Sequence, residues 1–218
     1  MEAIPVHEEG PADSAARDRI IRAVVTLVVD GGLEAVSVRQ VAAKVGVTGG
    51  MVQHHFPTKQ AMLRAAMATV TQGVRARVRE ARAGLPPAEA LREISRLLVP
   101  LDAERSREAR VWLAFAARAA VDPELAAYHQ DTWTELENTL AGLFAAVRQD
   151  TAPEAADRTY AALLLAMLDG LAATGLIEPR RLAPERMEML LDRQIDVLLA
   201  ALRQGTRPGE GTPSDGHP

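Results

Sequence analysis

Two adjacent polar side chains, Gln53 and His54, carry groups that could recognise a nucleic acid. A glutamine amide both donates to and accepts from adenine, and a histidine can donate a hydrogen bond to a phosphate or to a base acceptor. Both side chains fall within residues 37–59, which run SVRQVAAKVGVTGGMVQHHFPTK. Hydrogen bonding to base edges and phosphates, rather than covalent chemistry, is what this segment could perform.

The elements that must position these side chains are two short helices and the start of a third. Ser37 and Gln40 have the spacing of a capping box at the start of the first helix, and Gly46 ends that helix. The second helix is predicted from Thr48 to about His55. Two short helices joined by a tight turn form a rigid wedge that suits the DNA major groove.

The second short helix opens with two glycines, Gly49 and Gly50. Two glycines in a first turn cost roughly 1–2 kcal/mol of helix stability, which close approach of the backbone to DNA would offset. A loose turn without a partner is the alternative. The helical pitch directs some side chains of this segment inward and others outward. The inward set is Val47, Val52 and Phe56, and the outward set is Thr48, Gly49, Gln53 and His54.

The charges at the helix starts differ along the chain. Thr58 has the character of an N-cap, which puts Lys59 at a first helical position, and Arg39 lies in another first turn. A cation there opposes the helix dipole, normally by about 0.3–1 kcal/mol. Later helices instead carry a glutamate near their starts, at Glu89, Glu104, Glu124, Glu154 and Glu185. A phosphate backbone is the natural missing partner, although surface lysines are tolerated at many positions.

The net charge of −4 conceals a division between two parts of the chain. Residues 17–83 contain eleven Lys/Arg and four Asp/Glu, a net charge of +7, and the remainder has a net charge of −11. Such asymmetry suggests that the first part faces a polyanion. Four of the arginines follow the helical motif and fit a solvated helix face better than a DNA contact. They are Arg75, Arg77, Arg79 and Arg82.

Composition predicts an all-α fold. The chain is 48% hydrophobic and only 3% aromatic, and it has no alternating strand pattern longer than four residues. The absence of cysteine excludes disulfides and thiolate metal sites. His54 and His55 are adjacent rather than four residues apart, so neither a metal site nor a cofactor is predicted. Without an apolar run of about 18 residues or a signal segment, we expect a cytoplasmic protein with no membrane partner.

Proline and glycine positions divide the chain into nine predicted helices. Residues 1–14 and 205–218 are predicted to be a disordered arm and tail. Residues 15–60 would form a helix-turn-helix domain, and residues 61–204 a second domain, with residues 59–83 as a long connecting helix. Helix eight is predicted to begin with a capping box at Thr151 and Glu154.

The last two helices are predicted to join two copies of the chain. Helix eight is apolar on most sides and helix nine repeats apolar residues at helical spacing, so two helices from each subunit could form a four-helix interface. An ordinary monomer core is the alternative. The residues concerned are Leu163, Leu164, Met167, Leu168 and Leu171, and then Met187, Leu190, Leu191, Ile195, Leu198 and Leu202.

Helices four to eight could also form a pocket for a small-molecule ligand. Such sites are mostly apolar with a few placed polar groups, and each candidate could equally be a core residue. The candidates are Trp112, Phe115, Tyr128, His129, Trp133, Met167 and Asp169. Asp169 lies within an apolar helix, where an unpaired carboxylate is costly. It could pair with an arginine across a dimer, cap a neighbouring helix or meet a cationic ligand.

Residues 15–70 resemble the tetracycline-repressor (TetR) family of bacterial transcription regulators. The resemblance rests on Gly31–Gly32, Ser37–Val38–Arg39–Gln40–Val41–Ala42, Val45–Gly46–Val47–Thr48, Gly50, His55–Phe56, Lys59 and Leu63. It implies that Thr48, Gly50, Gln53, His54, His55 and Lys59 lie at the DNA, with Ser37 and Arg39 at flanking phosphates. Gln53 stands where the family usually has a phosphate-contacting tyrosine.

The second part resembles the choline-responsive, BetI-like branch of the same family more weakly. The similar stretches are Val111–Trp112–Leu113–Ala114–Phe115 and Leu168–Asp169–Gly170–Leu171. Because the C-terminal domains of this family vary widely, the choline ligand is not carried over to this chain.

These observations favour a homodimeric transcription regulator that binds a palindromic site on double-stranded DNA. A repressor released by an unidentified small-molecule effector is the expected form, with the effector step resting on the family resemblance. An enzyme is disfavoured because the sequence has no cysteine, nucleophile elbow or phosphate-binding loop, and His129 alone forms no acid–base constellation. A helical protein-interaction adaptor without DNA binding is the remaining alternative.

Overall fold

The computed structural model describes residues 11–205. Across that range the chain forms nine α-helices and one short 3₁₀ turn, which confirms the all-α prediction. In chain order, the elements are α1 (Pro11–Gly31), the 3₁₀ turn (Leu33–Ala35), α2 (Val38–Val45), α3 (Gly49–His55), α4 (Lys59–Gly84), α5 (Pro87–Leu97), α6 (Ala103–Ala119), α7 (Pro123–Val147), α8 (Ala155–Ile177) and α9 (Pro184–Gly205).

The first helix begins earlier than the sequence predicts. Residues 11–14 are assigned to a disordered arm in the sequence analysis, whereas α1 begins at Pro11. Asp13 lies in the first turn, where a carboxylate interacts favourably with the helix dipole. The rest of the predicted arm lies outside the described residues. So does the predicted tail, apart from Gly205, which ends α9.

Three hydroxyl groups begin the helices of the predicted motif. Ser37, Thr48 and Thr58 precede α2, α3 and α4, and each side-chain oxygen accepts a hydrogen bond from the backbone N–H three residues later, at 3.0–3.2 Å. The turn between α2 and α3 is made by Gly46, whose φ of 75° is strained for residues with a Cβ. These caps and this turn confirm the predicted starts of the three helices.

The chain divides into two compact units. Among the described residues, the first comprises residues 11–79 and 100–130, and the second comprises residues 80–99 and 131–205. In the first unit α2 and α6 both pack against α1, and one apolar core joins α1 to α4 with α6. The predicted boundary at residue 60 separates the chain by function rather than by compactness, and most of α4 lies in the first unit. That boundary therefore stays a prediction.

In the second unit, α9 packs against both α5 and α8. Arg92 and Arg96 on α5 form ion pairs with three carboxylates on α9. The start of α8 differs from the prediction at Thr151, because Glu154 is the N-cap and forms the capping box with Asp157. Asp157 is fully buried and accepts hydrogen bonds from the guanidinium of Arg148.

One helix among the described residues, α8, is long and apolar enough to cross a membrane by length and composition alone. The expectation that the chain contains no such apolar run is therefore wrong. The core helix of a helical bundle has the same properties. α8 fits that description, because it packs against α9 and buries Leu164, Leu165 and Leu168.

Candidate nucleic-acid interface

The outward surface of α3 consists of polar side chains held over an apolar base. Val52 and Phe56 are buried in the core of the first unit, together with Ile20 and Val24 of α1. Gln53 and His54 are exposed, as the helical pitch predicts. Because the buried face fixes the rotation of α3 about its own axis, the amide and imidazole project from a rigid support.

The start of α3 leaves its backbone open to an external partner. A Cβ on Gly49 would meet Val38 Cγ1 at 3.5 Å, an ordinary contact, and a Cβ on Gly50 would come no closer than 3.9 Å to Thr48 Oγ1. Neither glycine has a positive φ. Internal packing therefore does not require glycine at these two positions, although alanine would give a more stable helix.

The basic residues around α3 are partly paired with carboxylates of the same chain. Lys59 Nζ lies 3.5 Å from Glu34 Oε2, and Lys44 Nζ lies 3.9 Å from Asp30 Oδ2. The expectation that Lys59 has no anionic neighbour is therefore wrong for the DNA-free protein. The Glu34 side chain is 93% exposed, however, so it can leave the pair without losing any packing. Arg39 is exposed at the start of α2.

His55 does not lie where a DNA contact requires it. Its side chain is only 2% exposed, and Nε2 is buried without a hydrogen-bond partner, 3.5 Å from Asp13 Oδ1. The resemblance places His55 at the DNA, but a side chain enclosed between α3 and α1 does not fit such a contact. Sequence patterns missed this because the predicted disordered arm contained the residue that faces it.

Four of the predicted ligand-binding residues meet in the first unit. The rings of Trp112 and His129 lie 4.6 Å apart between centroids, tilted by 32°. Beside them is a cavity of about 10 Å³, enough for one water molecule. The cavity is lined by Met67, Phe115, Leu125, Tyr128 and His129. Met67 and Leu125 are not among the predicted ligand residues, because in a sequence an apolar helical position looks the same in a core and in a pocket.

The other three predicted ligand residues belong to the second unit. Trp133 Nε1 donates a hydrogen bond to Asp169 Oδ2 at 2.9 Å, and Met167 is half-buried. The indole was not among the three partners considered for Asp169. The bond explains how a carboxylate is accommodated in the apolar helix α8, because the indole N–H satisfies one of its oxygens.

Together, a capped short helix, a glycine turn and a second short helix with exposed polar side chains define a helix-turn-helix DNA-binding protein. Comparison with known proteins gives the family. Residues 20–66 match the model of bacterial regulatory proteins of the TetR family, and residues 87–200 match that of the C-terminal domain of BetI-type transcriptional repressors. The chain belongs to the TetR family of transcription regulators.

Individual relatives agree with this assignment over most of their length. The chain is 29% identical to the HTH-type transcriptional regulator PksA of Bacillus subtilis (strain 168), covering 83% of this chain and 88% of PksA. It is 39% identical to a transcriptional regulator from Rhodococcus sp. Rha1 of known structure, with a TM-score of 0.77 and coverage of 85% and 96%.

A third relative shares the fold at lower identity. A transcriptional regulator from Saccharomonospora viridis, solved in complex with choline, is 23% identical with a TM-score of 0.77, covering 84% of this chain and 96% of that one.

Proposed function

We propose that the protein is a homodimeric repressor that inserts α3 of each subunit into the major groove of a palindromic operator in the bacterial cytoplasm. The observation that carries the proposal is the surface of α3, where Gln53 and His54 are exposed over a buried apolar face and two glycines open the helix without a packing requirement. Gln53 would contact a base, and Thr48, Gly49, Gly50, Arg39 and Lys59 would lie near phosphates.

The dimer would form through α8 and α9. Both helices bury one face within the second unit and present large apolar side chains on another. A second copy of the chain would remove this exposed apolar surface from water. The exposed residues are Leu163 and Ile177 on α8 and Met189, Leu190 and Val197 on α9. A two-fold related pair of subunits would then place two copies of α3 on one face of the DNA.

Selection of bound sequences from a random DNA pool tests the proposal directly. We expect the full-length protein to enrich a palindrome, because two-fold related helices read two-fold related half-sites. Sedimentation of the protein with the selected duplex should give two subunits per site. Enrichment of no sequence, or of a single unrepeated half-site, would refute the two-fold arrangement.

Replacement of Gln53 tests which side chain reads a base. Gln53→Ala should cost about 1–3 kcal/mol on the selected site and relax the preference at one position in each half-site. Gln72→Ala is the matched control, since Gln72 is also exposed but lies farther along the chain, on α4. If Gln53→Ala weakens binding to selected and random DNA equally, Gln53 contacts the phosphate backbone instead.

The effector would bind at the aromatic cluster of Phe115, Tyr128 and His129. The present cavity of about 10 Å³ holds no organic molecule, so an effector must separate α4, α6 and α7 locally. A ligand that prefers this separated state shifts the conformational equilibrium by its differential affinity. Because α4 begins immediately after the helix-turn-helix, such a shift would alter the spacing of the two α3 helices.

The stacked Trp112 provides a readout for effector binding. In a Trp133→Phe variant, Trp112 is the only tryptophan left in the chain, so its emission reports the cluster beside His129. Choline is the first probe, since the S. viridis relative was solved with it, followed by a panel of small aliphatic and aromatic compounds. A true effector should change Trp112 emission and weaken operator binding over the same concentration range. A change in emission alone would oppose a regulatory role.

A further inference from the structure

The buried imidazole of His55 faces the first turn of α1. His55 is the last residue of α3, and its Nε2 lies 3.5 Å from Asp13 Oδ1 without a hydrogen-bond partner. His54 and Phe56 flank the same imidazole, with ring centroids at 5.4 and 6.5 Å. The carboxylate of Asp13 on α1 therefore contacts the last residue of α3.

A second contact joins the same two segments one turn farther along α1. The guanidinium carbon of Arg17 lies 5.2 Å from the centroid of the Phe56 ring, within the range of a cation–π interaction. Phe56 is the C-cap of α3 and is buried in the core. Two successive turns of α1 thus contact two successive residues at the end of α3.

We propose that Asp13 and Arg17 form a brace that sets the orientation of α3 for sequence recognition without touching DNA. Successive residues of an α-helix are separated by 100° of rotation. Holding His55, the last residue of α3, and the C-cap Phe56 directly after it therefore fixes the directions in which Gln53 and His54 project. Both brace residues precede residue 20, where the match to the TetR-family model begins. They are positioning residues, acting through α3.

The brace must be distinguished from a direct phosphate contact by Arg17. A phosphate contact contributes to all DNA sequences alike and to the salt dependence of binding, at about 0.9 units of slope for each phosphate. A positioning residue instead affects the selected site more than random DNA and leaves the slope unchanged. Arg19, an exposed arginine two residues later on the same helix, provides a control of equal charge.

The experiment compares full-length Arg17→Gln, Arg17→Lys, Asp13→Asn and Arg19→Gln proteins on the selected operator and on random DNA. Arg17→Gln and Asp13→Asn should each lower the ratio of operator to random affinity by roughly threefold, with unchanged salt slope. Arg17→Lys should recover most of the loss, because an ammonium also interacts with an aromatic face. Arg19→Gln should leave the ratio unchanged.

Thermal unfolding of each variant identifies the temperature at which all are folded, and binding is compared there. A salt slope reduced by about one unit in Arg17→Gln, with an unchanged ratio, would overturn the brace in favour of a phosphate contact. The brace would also be overturned if all four variants kept the wild-type ratio of operator to random affinity. The brace rests on the proposed operator binding, which the wild-type protein tests in the same assay. If the wild-type protein does not prefer the operator to random DNA, the proposed function is refuted rather than the brace. If Arg17→Gln does not fold, Asp13→Asn decides alone.

Discussion

The helix starts of the DNA-binding motif differ from those in the rest of the chain. Neutral hydroxyls cap α2, α3 and α4, and none of these helices has an acidic residue in its first turn. Near the starts of α6, α7 and α8, the carboxylates of Asp102, Asp122 and Asp157 instead accept hydrogen bonds from backbone N–H groups. The bond from the Arg105 backbone N–H is the main reason that the pKa of Asp102 is lowered.

The comparison shows two ways of satisfying the same backbone groups. A hydroxyl satisfies a free N–H without adding charge, so the partial positive charge at the helix end remains. A carboxylate satisfies the N–H and neutralises that charge as well. The chain therefore retains electropositive helix ends where a polyanion would bind and removes them elsewhere. This contrast concerns the helix caps alone. It therefore holds even though Lys44 and Lys59 are paired with carboxylates of the same chain.

Adding a carboxylate to the start of α3 should give the largest effect. Gly50→Glu removes a helix-destabilising glycine and adds a carboxylate that interacts favourably with the helix dipole, so the free protein should gain about 1 kcal/mol of unfolding free energy. A like charge beside a phosphate costs several kcal/mol, so operator binding should fall by at least roughly a hundredfold. Thermal unfolding and gel retardation measure the two opposite changes.

Two alanine variants separate charge from shape. Gly50→Ala should stabilise the helix while weakening operator binding less than glutamate does, because only close approach of the backbone is lost. Gly142→Ala in α7, where a Cβ would meet no atom within 4 Å, should stabilise the protein with no change in DNA binding. Wild-type operator affinity in Gly50→Glu would mean that the start of α3 does not face DNA.

Removing a carboxylate from the second unit should instead lower stability and leave operator binding unchanged. Asp157 is fully buried and bonds both the Arg148 guanidinium and the Glu154 N–H. Asp157→Ala should therefore cost about 3 kcal/mol of unfolding free energy, measured by denaturant titration. Glu154→Gln, an exposed member of the same cluster, should cost much less. A similar cost for both variants would mean that burial does not determine the effect.

The helices could be predicted from sequence because their starts and ends are marked locally. Thr48, Thr58 and Gly46 act within three or four residues of their own positions, and a local signal is visible in one sequence. The predictions were wrong where the structure depends on a tertiary contact between separate elements. At the start of α8, the capping box is Glu154 with Asp157 rather than Thr151 with Glu154. The buried guanidinium of Arg148 pairs with Asp157, and sequence spacing alone does not reveal that contact.

In the candidate site, too, local features could be predicted from the sequence and long-range contacts could not. The exposure of Gln53 and His54 follows from helical pitch, which is a local property. The burial of His55 depends on a helix turn that begins more than 40 residues earlier, in a segment whose proline and acidic residues favour disorder. The bond between Trp133 and Asp169 likewise joins residues that are 36 positions apart. Such pairs are determined by the packing of whole helices.

Replacing Lys59 should have a moderate effect that depends on salt. Lys59→Ala removes a cation from the start of α4, so all DNA sequences should bind more weakly, and the slope of log affinity against log salt should fall by about one unit. Lys44→Ala, which removes the only other lysine in the chain, is the control and should leave the slope closer to wild type. A change in sequence preference in Lys59→Ala would mean that Lys59 contacts bases.

The smallest expected effect has the opposite sign. Glu34 must release Lys59 before that ammonium can contact a phosphate, so Glu34→Gln removes a competitor of the DNA. Exposed ion pairs are weak, and the operator affinity should rise by only roughly twofold at low salt, with little change near 0.5 M where such pairs are screened. The gain should vanish in the Lys59→Ala background, because the two residues act through one contact. A gain of equal size in that background would mean that Glu34 repels the DNA directly, and the pairing of Lys59 would then have no part in operator binding.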